Sequence, residues 1–141
     1  VALPEPTPGL VIRYDYLWSR EAAIGREQGK ERPACLVAAT SSAVTPRFVV
    51  ILAITHTPPR GDTVGVEIPA RVKQALGFDD APSWVIVSEH NVDEWPNGGL
   101  TPIPGKPGIF SYGFIPPGLF ASVKAKFLEL CEAGRNDAVR R

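Results

Sequence analysis

Two stretches of the chain are apolar almost without interruption: Ala34-Cys35-Leu36-Val37-Ala38-Ala39 and Phe48-Val49-Val50-Ile51-Leu52-Ala53-Ile54-Thr55. Short runs of this kind, bounded by turn residues and apolar on both faces, are expected as strands covered from both sides. Ser41 to Pro46 supplies the turn between them. Upstream, Gly9 to Leu17 predicts a strand whose Arg13 and Asp15 face away from Ile12 and Tyr14. Thr63 to Ile68 predicts a short alternating strand. It leads into a two-turn helix from Pro69 to Leu76, with proline at its first position and Gly77 as its stop. Ser83 to Val87 predicts another buried strand, which runs out at Glu89-His90-Asn91. From Asn91 to Pro117 the chain is rich in turn residues, with Ile109 to Phe114 as a last strand inside it. Leu119, Phe120, Val123, Phe127, Leu130 and Cys131 then recur at spacings of three and four, the apolar stripe of a helix that Gly134 ends.

Three segments fall outside this pattern. Residues 1–8 are proline-rich and read as an extended lead-in, and Arg135 to Arg141 reads as a charged, frayed tail. Trp18 to Glu31 is polar and interrupted by Gly25 and Gly29, so it reads as one long loop. Many short strands at short intervals, with one inserted helix and one terminal amphipathic helix, predict a mainly β protein. Its architecture is expected to be a small antiparallel barrel forming a single domain over residues 9–134.

Composition sharpens this in two ways. Gly and Pro together make 28 of 141 residues, against a usual share of roughly 12%, which excludes a helical bundle. Fifteen Lys and Arg balance fifteen Asp and Glu, which argues against a partner held by bulk charge while leaving room for a local basic pocket. Cys35 and Cys131 sit among apolar neighbours without metal-ligand spacing, and are expected as two buried thiols. No apolar run reaches the length of a membrane span, and the first residues lack the basic and apolar regions of a signal peptide, so a cytoplasmic location is expected.

The common nucleotide, zinc and serine-hydrolase motifs are missing. Gly105-Lys106-Pro107-Gly108 and Asp79-Asp80 read as turns, and no metal or cofactor is expected. What remains is polar residues at strand ends. Thr55-His56 closes one apolar strand and Glu89-His90-Asn91 another, where side chains are held rigidly yet open to solvent. Arg32, fixed by Pro33 at the threshold of a buried strand, suits bidentate contact with a phosphate.

The segment Glu27-Gln28-Gly29-Lys30-Glu31-Arg32-Pro33 resembles the E-Q-x-G-x-R-P signature of the MazF/PemK family of toxin endoribonucleases. The likeness extends to Gly9 through Asp15, to Ala53-Ile54-Thr55, to Val66-Glu67-Ile68, to Val85 through Glu89 and to the terminal helix. It departs in Leu10, in a longer loop from Trp18 to Gly25, in His90-Asn91-Val92, and in an insert from Trp95 to Pro117.

The resemblance implies an SH3-like barrel, a homodimer, a cognate antitoxin protein and metal-independent cleavage of single-stranded RNA. It puts catalytic roles on Arg32, Thr55 and Glu27, to which the residues themselves add His56 as a proton carrier near neutral pH. Gln28, Lys30, Glu89, His90 and Asn91 are the expected substrate contacts. The apolar insert residues Ile109, Phe110, Tyr112, Phe114 and Ile115 suggest the dimer surface. The alternative is a non-catalytic, degenerate member that binds a protein partner on the same barrel.

Overall fold

In the computed structural model, which describes residues 2–141, the chain runs β1 (Leu10–Tyr16), α1 (Ser19–Ala23), β2 (Lys30–Ala39), β3 (Arg47–Thr55) and β4 (Gly65–Glu67). It continues through α2 (Ala70–Leu76), β5 (Trp84–Ile86), β6 (Glu89–Trp95), β7 (Ser111–Phe114), α3 (Pro117–Glu132) and β8 (Asp137–Arg140). One sheet takes in all eight strands in the order β4-β5-β3-β2-β1-β7, with β6 on β3 and β8 on β6. Every pairing is antiparallel except β6 with β8. The sheet does not close on itself.

Alternation along the strands sorts the core into two faces. Val11, Cys35, Val37, Leu52 and Ile54 point to one side, where α2 and α3 cover them with Val72, Leu76, Val123, Phe127 and Leu130. Leu10, Ile12, Tyr14 and Tyr16 of β1, Ala34 and Leu36 of β2, and Val49, Ile51 and Ala53 of β3 point to the other. Two faces each needing cover is why β2 and β3 are apolar at every central position. Helix α2 ends as its sequence requires, because Gly77 takes φ +76°, a left-handed turn that glycine adopts without strain. Pro69 stands at the N-cap, one position before the first helical residue.

Several expectations need correction. The segment from Trp18 to Glu31 is not one loop. Glu21 accepts a hydrogen bond from the Trp18 backbone N–H at 3.2 Å and stabilises the single helical segment α1, and Lys30 already belongs to β2. Glu89-His90-Asn91 does not end the strand of Trp84; it begins β6, a seven-residue strand inside the stretch read as turns. The tail is not frayed. Residues Asp137–Arg140 add to the β6 edge, Val139 is buried, and the Arg141 guanidinium is 12% exposed. It bonds the Tyr14 hydroxyl, the Asp15 carbonyl and carboxylate, Asn91 Oδ1 and the Glu27 carbonyl at 2.5–3.2 Å.

Cys131 is exposed, whereas Cys35 is buried as expected, and burial pushes its thiol up to about 12. Ile115 belongs to the core, while Ile109 and Phe114 are exposed. The lead-in has no regular element over residues 2–8, although Pro6 is buried and Glu5 pairs with Arg47 at 2.8 Å. Val1, which the lead-in reading also covered, lies outside the described residues. No helix among the described residues is long and apolar enough to cross a membrane.

Candidate functional site

Strands β2 and β3 pair Ala34 with Ala53 and Cys35 with Leu52. Carried two residues further, that register sets Arg32 opposite Thr55 at the mouth of the sheet, on the face of Ala34 and Ala53. The polar ends of two buried strands thus meet. They line a cleft of about 630 Å³ together with Arg20, Lys30, Arg60, Thr57, Thr63 and Glu89. Four cationic side chains face a single carboxylate there, so a protein with no net charge has concentrated positive charge in one place.

The Arg32 guanidinium lies over the Trp18 ring, 5.1 Å from its centroid, and Arg20 packs on the same ring at the same distance. Burial lowers the Arg32 pKa from its ordinary value, yet an arginine stays cationic at any physiological pH. Its Nε is buried with no hydrogen-bond partner among the described residues. A desolvated donor without a partner costs stability, and Arg13 and Arg47 carry the same kind of unpaired Nε; it is the rest of the Arg32 guanidinium that lines the cleft. Thr55 Oγ1 accepts from the Thr57 N–H at 3.1 Å, which leaves its own O–H to donate elsewhere.

Glu89 is the acidic member. Strand β3 pairs with β6 up to the rung Ile51–Asn91 and with β5 from Ile54–Val85 onward, so Glu89 stands where the two neighbours of β3 diverge. Its carboxylate accepts from the Tyr16 hydroxyl at 3.1 Å, the Ser19 N–H at 2.9 Å and the Ser19 hydroxyl at 3.2 Å. Burial nevertheless outweighs these bonds and holds its pKa above the usual carboxylate value. Burial and the neighbouring Glu89 likewise hold Tyr16 well above its ordinary pKa, so it stays a neutral donor.

The other expected site residues scatter. Lys30 lines the cleft beside Arg32. Glu27 and Gln28 lie instead in a separate cavity of about 550 Å³ with Asp15 and Arg141, and the Glu27 carbonyl is tied to Arg141 at 3.1 Å. The glycine that follows them has a structural reason: a Cβ on Gly29 would collide with the Tyr16 carbonyl.

His56 follows Thr55, so alternation sends it to the opposite face. There its Nδ1 sits 3.0 Å from both the Pro82 carbonyl and the Ser83 hydroxyl, with Nε2 3.3 Å from Asp79. His90 is half-buried, with Nδ1 2.6 Å from Asn136 Oδ1 and its ring edge-on to Phe127 of α3. Burial lowers its pKa and favours the neutral form. It lines none of these cavities.

Asn91 is a structural residue rather than a substrate contact. Fully buried, it accepts from the Leu17 N–H at 3.0 Å and donates to the Leu17 carbonyl at 2.8 Å, closing the end of β1 onto β6. Asn91→Ala is expected to lower unfolding free energy by about 3 kcal/mol, because two buried backbone groups lose their partner. Urea denaturation checks this, and a loss below about 0.5 kcal/mol, the range of an inert surface change, would remove the assignment.

Reading the sequence did not find Trp18, Arg20, Arg60, Thr57 and Thr63. Arg20 and Arg60 come from irregular polar segments and carry no spacing signal. Thr57 stood within the Thr55-His56-Thr57-Pro58 strand exit, where the signal was available. Compared with protein-family models, with curated proteins and with solved structures, the chain finds no match.

Proposed function

We propose that this protein is a metal-independent endoribonuclease of the MazF/PemK kind, acting on single-stranded RNA as the toxin of a toxin–antitoxin pair. The observation that carries the reading is the meeting of Arg32, Thr55 and Glu89 in one cationic cleft. RNA supplies its own nucleophile, so the reaction needs a base, a charge stabiliser and little else. Glu89 takes the proton from the 2′-hydroxyl, whose oxygen bonds to the adjacent phosphorus. The P–O5′ bond breaks, the 5′-oxygen is protonated from solvent, and a 2′,3′-cyclic phosphate remains. Arg32 neutralises the charge that builds on the non-bridging oxygens, and the Thr55 hydroxyl donates to one of them. Arg20, Lys30 and Arg60 hold the neighbouring phosphates. The missing 2′-hydroxyl excludes DNA.

Glu89, rather than Glu27 or His56, takes the role of base in this reading. It shares the cleft with Arg32, whereas Glu27 opens onto another cavity and the His56 imidazole is engaged by Pro82, Ser83 and Asp79. The SH3-like barrel also belongs to the proposal, supported by the way β3 changes neighbours along its length from β6 to β5, a device by which small sheets curl.

The deciding experiment is incubation of the purified protein with mixed-sequence RNA in EDTA. Discrete fragments ending in 2′,3′-cyclic phosphate are expected. Intact RNA that is still bound would favour the non-catalytic binding module. The homodimer rests on the exposed side chains of Ile109 and Phe114 along the insert. Sedimentation at micromolar concentration is expected to give twice the monomer mass, and a lone 15.2 kDa species would remove it.

A further inference from the structure

A third cavity, of about 470 Å³, lies across the wall formed by Lys30, Arg32 and Thr55, residues that also line the cationic cleft. We infer that this cavity receives the nucleobase next to the phosphate held at Arg32, and that Phe78 and Tyr112 form its stacking surface. The inference rests on the RNA reading of the first cleft.

The 470 Å³ cavity is less one-sidedly cationic than the first: it sets Glu31 and Asp79 against Arg13, Lys30 and Arg32. It also contains an aromatic pair, Phe78 and Tyr112, edge to face with centroids 5.2 Å apart. Both rings are half-buried, and Tyr112 is anchored by a hydrogen bond from Arg13 to its hydroxyl at 3.3 Å. A rigid, partly exposed aromatic surface is what a base stacks on, whatever its identity. Two exposed hydrogen-bonding groups stand at the rim, His56 and Asp79, 3.3 Å apart, with the buried Ser83 hydroxyl holding His56 from behind at 3.0 Å. Lys73 fixes the turn that presents them by donating to the Asp80 and Ala81 carbonyls at 3.3 and 2.7 Å. An anion site sharing a wall with an aromatic pocket that has a polar rim matches the parts of a nucleotide in the order in which they are joined.

Tyr112 belongs to the insert that interrupts the family resemblance, so the pocket is a feature of this chain's own sequence. It also makes His56 part of a base-facing rim rather than a proton carrier.

The test is binding of AMP, GMP, CMP and UMP against ribose 5-phosphate, followed by NMR titration of the full chain. At least one nucleotide is expected to bind about 10-fold more tightly than ribose 5-phosphate, within the range for one base–aromatic stack. Tyr112→Leu and Phe78→Leu are each expected to remove that preference while leaving ribose 5-phosphate affinity unchanged. Equal binding of nucleotides and ribose 5-phosphate by the wild type would overturn the inference. So would a preference that survives in either variant, and if one variant fails to fold, the other carries the comparison. Base preference without RNA cleavage keeps the pocket and removes the nuclease; cleavage without base preference does the reverse.

Discussion

Arg32→Ala is expected to slow RNA cleavage by about 10²–10³, the scale for losing one preorganised donor to a transition state. Three features of the side chain lead there. Its strand position sets it across from Thr55, its guanidinium is held over Trp18, and its Nε is buried without a partner among the described residues. Such a group is already desolvated and oriented before substrate arrives, so little reorganisation is left for the reaction itself. The loss should therefore fall on kcat more than on KM. Arg32→Lys keeps the charge and loses the planar fork, and is expected to recover only part of the rate. The residue sits at a strand end rather than in the core, so both variants should keep a melting transition close to that of the wild type. Wild-type turnover in Arg32→Ala would take the residue, and the cleft with it, out of the mechanism.

The parts of this site that could be read from sequence are those fixed by alternation. Arg32 and Thr55 each terminate an apolar run, and once β2 and β3 are recognised as neighbours their pairing brings the two together. The same alternation sends His56, one residue after Thr55, the other way, and its ring lies on the far face against Pro82 and Ser83. Local pattern is silent on long-range partners. Nothing in Glu89-His90-Asn91 distinguishes the end of one strand from the start of the next, because β5 and β6 are joined through Val87 and Ser88 alone. Read as one cluster, the three residues have different fates: Glu89 lines the cleft, His90 turns toward α3, and Asn91 is sealed in the core.

The tail was hidden for a related reason. Asp137 to Arg140 has one apolar side chain facing the core, and its strand character comes from the β6 edge beside it rather than from its own residues. Arg141 carries this furthest. On the sequence it is one more charge in a polar run, whereas in the fold its guanidinium gathers β1, β6 and the Glu27 loop around one buried centre. Glu27 belongs to that same contact: Arg141 holds its carbonyl, and Glu27 lines the cavity beside Arg141 rather than the cleft of Arg32.

Glu89→Gln is expected to lower cleavage by about 10²–10⁴, the usual worth of a positioned base, and to change its pH dependence. The carboxylate must be ionised to accept the 2′-hydroxyl proton, and burial holds its pKa above the ordinary value. In the wild type the rate should fall as pH drops through that raised value; in Glu89→Gln this limb should be gone, with Glu27→Gln keeping it. Stability should move the other way. A carboxyl whose folded pKa is raised contributes stability below its unfolded pKa and loses it as pH rises through the folded one. At neutral pH the wild type therefore bears the cost of a desolvated charge that a glutamine of the same shape does not. The amide oxygen can still accept from Tyr16 and from the Ser19 N–H. Glu89→Gln should accordingly be as stable as the wild type or more so at pH 7, and gain nothing at pH 4. A residue that only supports the fold would lose activity together with stability. Activity falling while stability holds marks a group kept for its chemistry. A rate limb that persists unchanged in Glu89→Gln would pass the proton to another group in the cleft.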